Sequence, residues 1–463
     1  MQQVEVYTPL QKAVLTMVLL NALSVPIMLS SVNVALPAIA EDLQLSAIIL
    51  SWIPTAFLMA SAMFVLVFGR LADMFGRRKI FLLGAGLVML ASLLAALAIG
   101  PVTLLGARFL QGIAAAMLYA TQMAIVTSVF PLVGRGRVIG LVTSMIYVGL
   151  AAGPLIGGLI VDQFGWRGTF LLQLPIAVMV LYVGLFRVNG EWAADSRGSF
   201  DFSGALIYSL SIFLVCVGVS FLPDVYSAGI LVAGLLSLVV FFRLSLSRDD
   251  PIWDVSLFFT NRVFTFSCLA SLIIYSATFM NVVLLSLYLQ HLQGLSASVT
   301  GLIIMIQPLT MAVFSPFMGK LSESVEPKVL ASTGMGITTV GLVFLAMLTS
   351  DSALNTVIIS LMMTGFGFAL FSSPNVNAIM SSVEKTHIGA ASAAVSTTRI
   401  LGQMVSMVLV TLVVALQFGD APIEPSSFPV LEQAISFCFF LAAGLCLPGI
   451  VLSLARGRVH HQI

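Results

Sequence analysis

Two arginines set inside long apolar runs, Arg108 and Arg399, are the residues best placed to do chemistry. A guanidinium at membrane depth is costly and normally faces a cavity or a partner. Gln111 falls one helical turn from Arg108 on the same face. The two could hold an anion or steer a proton; the plainer alternative for Arg108 is snorkelling to the nearer interface. Arg399 has the same two readings, cavity or structural pairing. Other chemistry is missing. None of the 19 acidic residues falls near the middle of an apolar run. His291 and His387 read as loop residues, and His460 and His461 as a solvated tail, with no metal-ligand spacing anywhere. Cys216, Cys268, Cys438 and Cys446 sit singly in apolar runs and read as buried helix residues. No GxxxxGK[ST] loop for a nucleotide is present, so direct ATP hydrolysis is not expected. No metal and no cofactor are expected.

Two glycine-rich stretches carry mechanical rather than chemical information. Gly69-Arg70-Leu71-Ala72-Asp73-Met74-Phe75-Gly76-Arg77-Arg78-Lys79 reads as a tight loop between two apolar helices. Gly69 and Gly76 permit the turn, and Asp73 can cap a helix or pair with Arg77 or Arg78. Gly149, Gly153 and Gly157 recur every four residues and form one bare ridge, with Pro154 and Gly158 beside it. Neighbouring backbones can approach closely along such a ridge, and Pro154 removes a backbone donor.

The elements that must position these residues are set by composition. The chain has 463 residues, 59% hydrophobic and only 8% charged, against roughly 25% charged for soluble domains. Lipid must therefore cover most of the outside. The net charge of +1 gives no basic face for nucleic acid. Cutting at charged and Gly/Pro breaks gives fourteen apolar runs, the first at 13–36 and the last at 433–454. The first has no small-residue cleavage site and reads as a retained span. With the N-terminus inside, alternation places 17 of the 20 Lys and Arg residues in inside segments; only Arg167 falls outside. Such a bias needs the right count and phase, so both termini are expected to be cytoplasmic.

An internal repeat runs through this pattern. Gly69-Arg70-Leu71 with Asp73 recurs as Gly319-Lys320-Leu321 with Glu323, and Gly136 and Gly149 recur as Gly389 and Gly402. The expected architecture is all-α: six-helix bundles at 12–187 and 263–455, two extra transmembrane helices with cytoplasmic linkers at 188–262, and a tail at 456–463. Repeated halves around a midplane site are a common transporter plan. The stretch 245–262, with Asp249, Asp250, Trp253, Phe258 and Phe259, reads either as an interfacial segment with its aromatics against lipid or as a plain linker.

The loop at 69–79 resembles the signature of the major facilitator superfamily, G-x-L-x-D-x-x-G-R-R/K, without a mismatch. Arg108-Phe109-Leu110-Gln111-Gly112 looks like that family's R-x-x-Q-G element. The run from Gly149 to Gly158 looks like the fifth-helix element of its exporters. Trp166-Arg167, Phe170 to Pro175, Asp201 to Gly204 and Leu287 to Gln290 look like its fourteen-helix drug/proton antiporter branch. The resemblance covers nearly the whole chain. It implies two bundles rocking around a central cavity, export coupled to proton entry, a bacterial inner membrane and a monomer. It implies gating roles for Gly69, Asp73, Gly76, Arg77, Arg78, Gly149, Gly153, Pro154, Gly157 and Gly158.

One departure bears on mechanism. In the resembling antiporters the first helix often carries an aspartate five residues before the Asn of N-V-A-L-P; here Asn33-Val34-Ala35-Leu36-Pro37 is present but that position is Met28. The simplest carrier of a proton and counter-charge for a cation is absent. A cavity holding Arg108, and Arg399 if it faces inward, is then positive, which points to small lipophilic neutral or anionic substrates. If protons are coupled, the carriers are the rim acids Asp42 or Asp162, or Asp73 with Arg108 acting indirectly. Met28, Asn33, Tyr119, Tyr147, Asn281, Gln307 and Asn375 are candidate cavity residues; for each, interhelical hydrogen bonding is the competing role. A facilitator or importer of an organic anion or metabolite is the second transport reading. A transport-fold receptor or membrane enzyme would need a loop domain or converging nucleophiles, which the sequence lacks.

Overall fold

Inside lipid every backbone polar group must be satisfied within its own segment, so an apolar chain of this kind folds into helices. The computed structural model describes residues 7–131, 135–193, 199–248, 250–253, 255–322, 324–383, 388–419, 421 and 423–457, with the backbone alone at 135–137, 388–390 and 392. Arg197, Asp249, Glu323, Lys385, His387, Arg458, His460 and His461 lie outside the described residues.

Among the described residues fourteen helices are long and apolar enough to cross a membrane. They are α1 (Pro9–Leu43), α2 (Ala47–Phe75), α3 (Arg77–Ala96), α4 (Pro101–Val129), α5 (Val138–Phe164), α6 (Arg167–Phe186), α7 (Phe202–Ser220), α8 (Val225–Ser247), α9 (Arg262–Leu292), α10 (Ala297–Leu321), α11 (Pro327–Ala346), α12 (Leu354–Ser381), α13 (Ala393–Phe418) and α14 (Pro425–Ala455). Polar residues start several of them: Thr8 and Gln11 form a capping box on α1, Ser46 caps α2, Asp224 caps α8 and Ser296 caps α10. The ends joined by the α2–α3 loop form the basic end of the molecule; the ends joined by the α1–α2 loop form the far end.

The repeat is present in the packing. In the first half α1 packs on α5 and α6, α4 on α2 and α3, and α3 on α6. In the second α9 packs on α13 and α14, α12 on α10 and α11, and α11 on α14. Glycines mark equivalent close approaches. A Cβ on Gly149 would lie 2.7 Å from the Leu23 carbonyl oxygen, and one on Gly402 would lie 2.6 Å from that of Leu272. Gly112 abuts the Phe57 carbonyl of α2 as Gly365 abuts the Gln307 carbonyl of α10. Gly84 lies on α4 as Gly334 lies on α12. The duplication read from two short motifs therefore extends to helix–helix contacts that need a missing side chain.

The inserted helices α7 and α8 pair with each other, and α7 lies against α2 and α13. Tyr208 Oη donates to the Ala62 carbonyl at 2.9 Å and Ser209 Oγ to that of Met63 at 2.9 Å. In its most apolar stretch α8 is 17% buried against 72% for α2, so α8 stands outermost with nearly all of its surface left to lipid. The connection to the second half departs from the interfacial reading. Trp253 is buried and stacks edge-on with Phe258 at 5.2 Å, which meets Phe264 of α9 at 4.9 Å. Only Phe259 points outward. The aromatics pack on the second half because Ser256–Thr260 forms a short helix that turns them toward α9. His291, read as a loop residue, lies in the last turn of α9.

Candidate functional site

The two halves meet along α5–α10 and α2–α13, with α1 touching α9. At the far end this seam is backbone against backbone. A Cβ on Gly158 would run into the Ala297 carbonyl and lie 2.9 Å from Ser298 Cα; one on Gly301 would run into the Pro154 carbonyl and lie 3.1 Å from Leu155 Cα. Hydrogen bonds reinforce the closure. Gln290 Nε2 donates to the Val34 carbonyl at 3.0 Å, and Ala47 N to that of Ala421 at 3.1 Å. The hydroxyls of Thr55 and Thr411 pair at 3.2 Å. Asp162 Oδ2 accepts from Ser298 N at 3.0 Å, so a carboxylate of one half caps a helix of the other. The ridge of Gly149, Gly153 and Gly157 does something different. It faces Leu23, Ile27, Ser30 and Ser31 of α1 and belongs to packing inside the first half. Pro154 and Gly158, on the adjoining face, make the seam.

Toward the basic end the seam encloses a cavity of about 50 Å³. The first half contributes Pro26, Leu29, Tyr119, Ile146, Tyr147 and Leu150; the second contributes Tyr275, Met311, Phe368, Arg399, Ile400 and Gln403. Tyr147 Oη and Ser372 Oγ meet at 3.3 Å across the halves. Among the described residues no hydrogen bond joins the two halves between this level and the basic end. The sequence-derived candidates Tyr119, Tyr147 and Arg399 thus come together on one cavity. A larger surface depression at the basic end, lined by Asp201, Ser203, Arg248 and Asp250, belongs to the insert and its linker. It holds the Arg248–Asp201 ion pair and lies away from the seam.

The remaining candidates lie elsewhere. Arg108 is fully buried in the first half and is not on the cavity. Its Nε donates to the Ile53 carbonyl at 3.2 Å and its Nη1 to Gln111 Oε1 at 2.7 Å, and its guanidinium stacks 4.7 Å from the Phe57 ring centroid. Gln111 Nε2 in turn reaches Ser92 Oγ at 2.9 Å. Nη2 has no hydrogen-bond partner and no carboxylate pairs with it among the described residues. This cation is held by neutral groups, and snorkelling does not describe it. Met28 and Asn33 are buried in α1 off the cavity. Asn281 Nδ2 donates to Gln307 Oε1 at 3.2 Å, joining α9 to α10. Asn375 Nδ2 binds the Ser267 carbonyl and Ser271 Oγ, while its Oδ1 accepts from Arg456 Nη1 at 2.6 Å. That is a structural cluster near the basic end of the second half. Asp42 Oδ2 accepts from Arg167 Nη1 at 2.8 Å and Trp166 Nε1 at 2.9 Å within the first half.

The loop at 69–79 is locked internally. Arg77 pairs with Asp73 Oδ1 at 2.8 Å and with Ser128 Oγ at 2.7 Å, tying α2, α3 and α4. Arg78 Nη2 donates to the Gly184 carbonyl near the end of α6 at 2.8 Å. A residue not singled out from sequence completes it. Glu191, in the linker after α6, accepts from Arg78 N at 2.8 Å and Trp192 N at 3.2 Å and so caps the first turn of α3. Gly76 adopts φ +113° directly against it.

Two pseudo-equivalent bundles, a glycine-backed seam and a cavity between them can now be set beside known proteins. The model for the Major Facilitator Superfamily matches residues 18–258 and 267–462. The chain belongs to this superfamily. It is a transmembrane transporter and not an enzyme. It is 28% identical to the riboflavin transporter RibZ of Clostridioides difficile, over 92% of each chain. It is 31% identical to the uncharacterized transporter YebQ of Escherichia coli, again over 92% of each chain. It is 29% identical to the multidrug resistance protein Stp of Mycobacterium tuberculosis, over 87% of this chain and 75% of the relative.

Proposed function

We propose that this protein is a secondary-active exporter that moves small lipophilic neutral or anionic compounds out of the cell by alternating access, with the basic end in the cytoplasm of a bacterium. The observation that carries the reading is the one-sided seam: the halves are joined backbone to backbone at the far end, while between a mostly apolar cavity and the basic end no hydrogen bond joins them among the described residues. An apolar lining with a few placed polar groups suits lipophilic ligands once the cavity widens as the halves move. The basic end then admits substrate, and rocking of the two bundles exposes it on the other side. Similarity to a cephamycin export protein and to a tetracenomycin C resistance and export protein supports export.

Proton antiport is part of this reading, and the seam favours one carrier. Of Asp42, Asp73 and Asp162, only Asp162 makes a hydrogen bond across the halves. Its carboxylate caps α10 from across the seam, so its replacement is felt where the halves close. Substrate-driven proton movement in proteoliposomes tests the function. Dye export tied to proton entry is expected in the wild type. Asp162→Asn should keep dye movement and lose its dependence on the proton gradient, while Arg108→Ala and Asp73→Asn report the buried cation and the loop. No movement of any dye in either direction would overturn the transport reading. A second reading, uptake of a metabolite, is favoured by similarity to a riboflavin transporter; accumulation in vesicles of the opposite orientation would select it.

A further inference from the structure

We propose that Arg399, which lines the cavity between the halves together with Tyr119, Tyr147 and Tyr275, makes that cavity selective for flat aromatic compounds that carry one carboxylate. This rests on the reading of that cavity as the substrate site and assigns its charge preference to one residue.

Arg399 is the one charged side chain among the cavity's described lining. It is half-buried and takes part in none of the four ion pairs among the described residues. It interacts electrostatically with the hydroxyls of both Tyr119 and Tyr275. No acidic residue lines the cavity. A guanidinium offers a fork of N–H donors that matches a carboxylate. Each phenol adds an O–H donor and a ring face, and Gln403, one turn along α13, adds an amide. Every formal charge here is positive, so a carboxylate gains and an ammonium is repelled, and both effects are strengthened by the low dielectric.

The ring faces set the rest of the ligand. Phe368 stands edge-on to Tyr275, with centroids 5.1 Å apart and planes at 77°. Three tyrosines and a phenylalanine around one cation favour a flat aromatic body. The tyrosines also come from both sides of the seam: Tyr119 and Tyr147 from the first half, Tyr275 with Arg399 from the second. In this form the space is about 50 Å³, room for one or two waters at about 30 Å³ each. A ligand therefore enters as the halves part, and a carboxylate on Arg399 that also reaches Tyr119 or Tyr147 spans them.

Equilibrium binding to the full-length protein in lipid nanodiscs, corrected with empty discs, tests this with a matched set: naphthoate, naphthamide and naphthylmethylammonium. Wild-type protein is expected to bind naphthoate at least about tenfold more tightly than the amine, a difference of about 1.4 kcal/mol. Arg399→Gln should erase that preference, weakening naphthoate far more than naphthamide. Arg399→Lys should keep the preference and weaken binding, because the fork is lost and the charge is not. Tyr147→Phe should weaken naphthoate more than naphthamide. The proposal is overturned if Arg399→Gln weakens all three alike, if Arg399→Lys behaves as Arg399→Gln, or if the wild type favours the amine. Failure to bind naphthoate by protein that exports dyes in proteoliposomes overturns the charge assignment and leaves export standing. Protein that moves no dye at all fails the transport reading instead.

Discussion

Gly158→Leu is expected to abolish transport while the protein still inserts and folds. The reason is where the new side chain goes. The atoms nearest its Cβ belong to the second half: the Ala297 carbonyl and Ser298 Cα, the latter 2.9 Å away. Backbone cannot move aside as a flexible side chain can, and overpacking a tight contact costs about 1–3 kcal/mol. That cost falls only on the form closed at the far end. Each 1.4 kcal/mol shifts an equilibrium about tenfold, so the closed form is depopulated and the cycle stalls with the far end open. Gly149→Leu is the control. Its Cβ would lie 2.7 Å from the Leu23 carbonyl within the same half, so it should lower the unfolding temperature and expression together with transport. Thermal unfolding in detergent beside vesicle flux separates the two. Equal loss of stability in both variants would contradict the assignment of Gly158 to the seam.

Gly76→Ala is expected to lose about 2–4 kcal/mol of stability, from an outlying backbone conformation and a lost helix cap. The residue has φ +113° and ψ +131°, a region where a side chain is strained. Its Cβ would also lie 2.6 Å from Glu191 Cγ and Oε1. Glu191 cannot swing away freely, because Oε1 holds Arg78 N and Trp192 N. Glu191→Ala removes the clash and the cap at once. Added to it, Gly76→Ala should cost less than in the wild type, by an interaction energy of about 0.5–3 kcal/mol. Strict additivity in denaturation measurements would mean that the linker after α6 does not bear on this loop.

Much of the framework was legible because lipid imposes simple rules. Run length gave the spans. Two pairs of short motifs gave a duplication that the glycine contacts of Gly149 and Gly402 bear out. What sequence gives less well is the partner of a face. The four-residue ridge at Gly149, Gly153 and Gly157 identified a close approach, but periodicity is silent on whether α1 or α10 makes it. Arg108 and Gln111 were legible as a pair, since one helical turn separates them; their neutral partners, Ile53 and Ser92, come from other helices.

Polar residues in spans show the same limit. Tyr119, Tyr147 and Arg399 reach the cavity while Asn281 and Gln307 bond to each other. The two outcomes give identical sequence signals. Arg456 falls in the expected tail at 456–463, yet it is buried against Asn375 and Ser267. Gln403 had a signal that went unused, its position one turn from Arg399. Glu191 had none: it lies in a linker, and its role depends on how that linker folds back over the loop.

Distance measurement by pulsed electron resonance tests alternating access most directly. Spin labels at Glu41→Cys with Ser426→Cys report the far end, and at Phe75→Cys with Leu321→Cys the basic end. All four native cysteines are buried, at 0–1% exposure, and should be spared by the label. Rocking of two bundles predicts that substrate lengthens the first distance and shortens the second together. Distances that stay fixed at both ends while substrate crosses, or that lengthen at both, would contradict it.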